Sequence, residues 1–358
     1  TTIPPSLEPH VDTTILFPIF AECRVVKSHH ELSLLRHVTE LTSLAHVHTM
    51  IQTNPNTYEY QAEATFRYVA YYHYGARLAG YTSICACGPS AAVLHYGHAG
   101  APNDGLIKEG SLCLHDMGAE YFGYGSDVTC TFPAGGVFDP RQREVYEGVL
   151  NAQRVVIGMM KPGVAWTDCH KAAEGEILKK LIQLGLVIIT DGKSVEDLVE
   201  MRLGAVFMPH GLGHLIGVDT HDVGGYLEGR TPERSELPGL KSLRTARILE
   251  KDMTITVEPG CYFIKHLMDE ALHVDSPLKS YLSEEIMEQY HGFGGVRIED
   301  VVAVTEDGCD NYTICPRTIE EVEHVKAGGK WPPMKDAAKE LKRSRLCEAS
   351  PLTGSDEF

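Results

Sequence analysis

From Ser28 onward, apolar residues return at three- and four-residue steps: Leu32, Leu34, Leu35, Val38, Leu41, Leu44 and Val47. That period puts them on one side of a helix and predicts one reaching about Gln52. A second helix is expected over Thr57–Tyr74. The pattern then changes. Between Tyr81 and Phe132 the chain breaks into short apolar stretches separated by Gly-Pro, Asn-Asp-Gly, Glu-Gly and Met-Gly, the punctuation of a strand meander. Helical spacing returns over 140–160 and 166–186, divided by Lys161-Pro-Gly-Val, with Thr167 or Asp168 as the expected cap of the second helix. From Ala205 to Val304 strands and glycine turns dominate, around a polar insertion at 228–250. A helix of mixed charge is expected after Arg317, and the last 30 residues read as a short helix and a solvated tail. The first 20 residues are Pro-rich and read as a loosely attached lead-in. Helices, strands, helices, strands is an α+β order rather than a regular βαβ alternation.

Composition narrows the class. A chain of 358 residues, 43% hydrophobic and 23% charged, can form one large core or two smaller ones. The net charge of −17 makes nucleic acid and anionic membrane surfaces poor partners. No apolar run approaches the roughly 20 residues of a membrane span. The opening TTIPPSLEPH has neither a basic n-region nor an apolar h-region, so no signal peptide is expected. It also lacks an initiator Met, as a processed chain or a fragment would. Ten cysteines lie between Cys23 and Cys347 without paired finger spacing, which reads as reduced thiols in a cytoplasmic protein.

Against this background five residues stand out: Asp116, Asp127, His214, Glu258 and Glu299. Each sits in a short apolar stretch bounded by Gly or Pro, in CLHDMG, GSDVTCTFP, HGLGH, TITVEPGCYF and GGVRIEDVV. Carboxylates in apolar strands are costly to bury unless neutralised. Two divalent cations would cancel four carboxylates, which points to a two-metal hydrolytic site. A hairpin through Gly118, Gly123 and Gly125 could bring Asp116 and Asp127 together, although two unrelated strand-edge carboxylates fit the same spacing. His210-Gly-Leu-Gly-His214 is no zincin helix, because it has no Glu after the first His and two helix-weakening glycines. Strand alternation puts Arg297 and Glu299 on one face and Asp300 on the other, so Arg297 and Glu299 could instead be a surface ion pair. A donor set of oxygens with one imidazole favours Mn²⁺, Mg²⁺ or Co²⁺ over structural zinc.

Taken in order, these segments resemble the pita-bread metallopeptidases, the family of methionine aminopeptidase, aminopeptidase P, creatinase and prolidase. AVLHYGHAGAPND at 92–104, GAVFMPHGLGHLIGVDTHDVGGY at 204–226, PGLKSLRTAR at 238–247, VEPGCYFI at 257–264 and GFGGVRIEDVV at 292–302 resemble its prolidase (Xaa-Pro dipeptidase) branch. The resemblance covers about residues 12–322. It implies curved antiparallel sheets flanked by helices, with a lead-in or linker over 1–24, a catalytic domain over 25–322 and a C-terminal helix and flexible tail over 323–358.

It also implies roles. Asp116 and Asp127 would hold one metal, Asp127 and Glu299 would bridge, and His214 and Glu258 would complete the second. The ions would be Mn²⁺, with Co²⁺ or Zn²⁺ as alternatives. Glu258 would manage the attacking water's proton, and His221 would stabilise the scissile carbonyl as it becomes tetrahedral. Arg244 and His95 would meet the carboxylate of a C-terminal proline, with Tyr81 and Arg297 lining the pocket and His210 nearby but not a ligand. The substrates implied are Xaa-Pro dipeptides. Aminopeptidase P-like cleavage of longer peptides is the alternative, and an inactive binding form on the same fold is a third reading. Full-length members carry an N-terminal domain that helps form a homodimer, and this chain is expected to begin near the linker after it.

Overall fold

A computed structural model describes residues 4, 6–12, 14–98 and 100–343. Helix α1 (Leu16–Val25) starts in the expected lead-in and runs past its boundary at 24, with Val25 in the main core. Helix α2 (His29–Gln52) starts where the periodicity placed it, because Ser28 and Glu31 cap each other reciprocally. Its buried face is wider than the leucine stripe and includes Thr39, Ser43 and Thr49. These hydroxyls can be buried because each donates to a carbonyl four residues back, at 2.7–2.8 Å. Ser28→Ala should lower stability by about 1 kcal/mol, read as a shifted thermal midpoint; an unchanged midpoint would mean that packing alone sets this end.

Helix α3 (Glu59–Tyr74) stops at Gly75, which takes the left-handed conformation. Helices α4 (Pro140–Met159) and α5 (Trp166–Gln183) pack on each other. Neither Thr167 nor Asp168 caps α5. Its N-cap is Ala165, without a side-chain bond. The start is fixed instead by Trp166, which is fully buried and donates Nε1–H to Gly213 O at 3.2 Å. Tertiary packing outweighs the local cap here.

The expected meander is present. Strands β1 (Leu78–Ala79), β4 (Ala119–Tyr121) and β5 (Tyr124–Gly125) form one small antiparallel sheet in the order β1-β4-β5. Strands β2 (Ile84–Cys87), β3 (Leu112–Asp116) and β6 (Thr129–Pro133) form another in the order β2-β3-β6. In the second half β7 (Thr254–Val257), β10 (Asp300–Val304) and β11 (Cys309–Asn311) pair as β11-β10-β7, while β8 (Gly260–Tyr262) pairs with β9 (Gly295–Arg297). A bridge from Thr129 to Glu299 joins the two halves at the ends of β6 and β10. All the sheet pairings are antiparallel, in keeping with the α+β expectation.

The C-terminal segment departs from its expectation. A helix spans Ile319–Lys326, with Ile319, Val322 and Val325 in the main core, so it crosses the boundary expected at 322. Beyond it there is no second α-helix among the described residues, only a 3₁₀ turn at Lys339–Leu341. Much of this stretch is solvated, Met334 being 98% exposed, yet it is docked on the fold. Trp331 and Leu341 are buried, and Arg343 pairs with Glu321 at 2.8 Å and with Asp336 at 2.5 Å. Burial of the Trp331 and Leu341 side chains outweighs the polar composition that suggested a tail. Residues 344–358 lie outside the described residues.

Candidate active site

The two aspartates are brought together by the β4–β5 hairpin. Phe122 and Gly123 both take positive φ at its turn, 49° and 81°, the conformation a tight hairpin of matching twist requires. The chain returns so that Asp116 pairs in register with Thr129, and Asp127 lies just before β6. Gly118 is needed here, because a Cβ would collide with Ser126 O and the Tyr81 ring.

His214 is set by the glycines of its motif. A Cβ on Gly213 would run into Thr256 O, so only glycine lets this loop lie against β7. Thr256 N–H donates to His214 O at 2.9 Å, and His214 N–H donates to Thr256 Oγ1 at 3.0 Å. His214 Nδ1–H donates to Leu215 O at 3.0 Å. That fixes the tautomer and turns Nε2 toward Asp127 Oδ2 at 3.2 Å and Glu258 Oε1 at 3.6 Å. Glu258 follows β7, with its N–H on Leu212 O at 2.8 Å. Glu299 lies between β9 and β10, 1% exposed, and accepts from Thr129 Oγ1 at 2.7 Å.

Ligand atoms of Asp116, Asp127 and Glu299 converge within 4.8 Å, as do those of His214, Glu258 and Glu299. The two groups share Glu299. His221 joins Asp127 and His214 in a third group, its ring 4.4 Å from that of His214. His210 enters none of these groups; its Nδ1 bonds Gly211 O and its ring packs edge-on against Tyr262.

Electrostatics tests whether cations fit. Burial, compounded by the charges of Asp127, Glu258 and Asp116, pushes the Glu299 carboxyl well above its usual range. Burial also raises Asp116, against the opposing charge of Arg297. It lifts Glu258 to about 7, with His214 opposing and Asp127 adding to the rise. A buried cluster cannot hold this many carboxylates ionised without positive charge. With Nδ1–H committed to Leu215 O, His214 Nε2 is the atom left to donate to a metal. The residues therefore fit two divalent cations.

Arg297 is neither at the surface nor paired with Glu299. It is 4% exposed and donates Nη2–H to Asp116 Oδ2 at 2.6 Å, Nη1–H to Tyr262 OH at 2.8 Å and Nε–H to Thr129 Oγ1 at 3.1 Å. It stands behind Asp116 and orients it, rather than lining the pocket. Tyr81 OH donates to the other oxygen of Asp116. Asp300 points away, as the alternation predicts, and pairs with Arg317 at 2.5 Å. Sequence reasoning missed Arg317. It is 1% exposed and also donates to Glu299 O at 2.5 Å and Thr129 O at 2.8 Å, fixing the backbone of a ligand. The only signal available was its place between a strand and a capped helix.

A cavity of about 340 Å³ opens over this centre, lined by Tyr81, His95, Asp116, Asp127, Thr220 and His221 among others. Burial and the neighbouring His214 hold His221 down at about 4, so it is neutral at neutral pH. Arg244 is exposed and makes no ion pair among the described residues, and its charge is felt by both His95 and His221. No helix among the described residues is long and apolar enough to cross a membrane.

Known proteins are similar to this chain in sequence and fold. The human Xaa-Pro dipeptidase is 50% identical over 318 residues, covering 89% of this chain and 63% of that protein. A probable Xaa-Pro aminopeptidase from Talaromyces stipitatus is 38% identical over 317 residues, covering 88% of this chain and 66% of that one. Among solved structures, the Pseudomonas aeruginosa aminopeptidase PepP matches with a TM-score of 0.71 at 34% identity, covering 87% of this chain and 62% of that chain. Zinc-substituted Escherichia coli aminopeptidase P in complex with product matches with a TM-score of 0.70 at 30% identity, covering 87% and 62%. The chain thus spans about 63% of the length of the Xaa-Pro dipeptidases it matches. Its helices and antiparallel sheets form the pita-bread fold of the aminopeptidase P structures. The profile of metallopeptidase family M24 matches residues 33–306, a span that contains Asp116, Asp127, His214, Glu258 and Glu299, and the chain belongs to that family.

Proposed function

We propose that this chain is a dinuclear-metal Xaa-Pro dipeptidase domain, cleaving the bond before a C-terminal proline. The observation that supports this most directly is Arg244, an exposed guanidinium without an ion pair among the described residues, whose charge reaches His95 and His221 beside the carboxylate cluster. A dipeptide places its free carboxylate one residue beyond the scissile bond, where a guanidinium can grip it with two parallel bonds. A longer peptide puts a neutral amide there. The identity of 50% to a Xaa-Pro dipeptidase, against 38% to an aminopeptidase, supports the same choice.

Asp116, Asp127, His214, Glu258 and Glu299 would hold the two cations, with Asp127 and Glu299 as bridges. Once bound, the cations acidify water and polarise the scissile carbonyl. The supply of oxygen donors favours Mn²⁺, with Co²⁺ or Zn²⁺ as substitutes. Glu258 is the residue assigned to take the attacking water's proton and pass it to the prolyl nitrogen. Neutral His221 offers an N–H to the carbonyl oxygen as negative charge develops. Arg297 and Tyr81 keep Asp116 in place throughout. We also place the protein in the cytoplasm, where its buried thiols stay reduced.

Hydrolysis of Gly-Pro and of Gly-Pro-Xaa peptides, compared with Mn²⁺ added, tests the reading. Preference for the dipeptide is expected, and preference for the longer peptide would move the assignment to an aminopeptidase. Arg244→Ala should raise KM for Gly-Pro by roughly tenfold or more, the loss of one charge-assisted contact, while bound metal stays unchanged. An unaltered dipeptide-to-tripeptide ratio in that variant would remove the clamp.

A further inference from the structure

The face of β3 turned away from Asp116 carries a second group of ligand-type side chains. Alternation puts Cys113 and His115 on that face together. Across the pairing with β2, Cys87 lies directly opposite Cys113 and Cys85 opposite His115. The Sγ atoms of Cys87 and Cys113 are 3.0 Å apart, and one His115 ring nitrogen lies within 4.8 Å of both. His115 is fully buried, and among the described residues neither of its ring nitrogens has a hydrogen-bond partner. Its ring packs edge-on against Phe132 at 4.9 Å. A buried imidazole with both nitrogens unpaired is an unusual and costly state, and it calls for a missing partner.

We propose that Cys87, Cys113 and His115 form a separate binding site for a single thiophilic divalent cation of the Zn²⁺ class. The donors are soft where those of the catalytic centre are hard, so the two sites select different ions. Zinc–sulfur bonds of about 2.3 Å put two thiolates about 3.8 Å apart at a tetrahedral angle, so the pair must open by about 0.8 Å. As the ion enters, each thiol releases its proton to solvent, and one divalent cation with two thiolates leaves the pocket neutral. Either His115 nitrogen can supply the third bond. Cys87, at 8% exposure, is the point of entry. Asp116 is on the other face of the same strand, so an ion here would brace β2 against β3 without entering the catalytic cavity.

Co²⁺ is the probe, added to the full chain under reductant after the carboxylate site has been saturated with Mn²⁺. One further equivalent should bind and give a thiolate-to-cobalt charge-transfer band, which an oxygen-ligated site does not produce. Cys87→Ser and Cys113→Ser should each abolish the band, and His115→Phe should weaken Co²⁺ binding while Gly-Pro hydrolysis persists. In the unaltered chain, bound Co²⁺ should also slow alkylation of Cys87, read by peptide mass spectrometry, so the result does not depend on any variant folding. The proposal is overturned by the absence of a band in the unaltered chain, by a band that survives both serine variants, or by equal alkylation with and without Co²⁺. It is equally overturned if Cys87 and Cys113 are found joined as a disulfide in protein kept under reductant.

Discussion

Asp127→Asn should abolish Gly-Pro turnover and cost the chain at least one of its two cations. Groups that merely hydrogen-bond to a metal ligand are worth about 10–100-fold in affinity or activity, so loss of Asp127, the residue proposed to bridge, should exceed that range. Asp127 touches both halves of the centre. Its ligand atom converges with those of Asp116 and Glu299 on one side and with those of His214 and His221 on the other. An amide keeps the shape but removes the charge and presents an N–H to a cation. The readouts are metal content after dialysis and the rate with Mn²⁺ restored. Activity within tenfold of the unaltered chain, with two ions retained, would refute the bridging role. The fold should survive, because Asp127 is itself a source of repulsion that lifts Glu299.

Arg317→Ala should be among the most destabilising substitutions available, at about 3–5 kcal/mol, the usual cost of removing one partner from a buried ion pair. Asp300 would be fully buried without its guanidinium partner, and among the described residues its side chain would keep the bond from Asn311 Nδ2 at 2.7 Å. Thr129 O and Glu299 O would lose a donor at the same time. Urea denaturation gives the stability change. The double variant Arg317→Met with Asp300→Asn should recover part of the loss, because the uncompensated charge is gone. A loss below about 1 kcal/mol in Arg317→Ala would show that water or another cation replaces the guanidinium. Weaker metal retention is also expected, since Arg317 holds the backbone of Glu299.

Much of the site could be read from the chain because its residues follow rules with short range. Strand alternation placed Asp300 opposite Glu299, and the glycines around Asp116, Asp127 and His214 marked close backbone approaches. Apolar periodicity placed the helix starting at Ser28, and the structure supplies the reciprocal Ser28–Glu31 cap that fixes that end. What could not be read depended on partners distant in sequence. Arg297 lies 181 positions from Asp116, and nothing in VRIED says that its guanidinium turns back to that carboxylate. Arg317 and Trp166 were overlooked for the same reason: each is defined by what it touches across the fold. The segment after Lys326 misled through composition, because a few large apolar side chains decided its docking against many charged neighbours.

The wide spacing of the ligands has a kinetic consequence. The centre draws on residues from Asp116 to Glu299, and no two adjacent ligands in the chain can close it alone. Contacts this remote in sequence form late, after the entropy of closing long loops has been met. Cations would then find no site in the folding transition state and a complete one only in the finished structure. Added Mn²⁺ should therefore slow unfolding and leave the refolding rate nearly constant. On that expectation the two carboxylate-rich halves would act as a lock that engages last, and bound metal would guard the native state rather than guide the chain toward it.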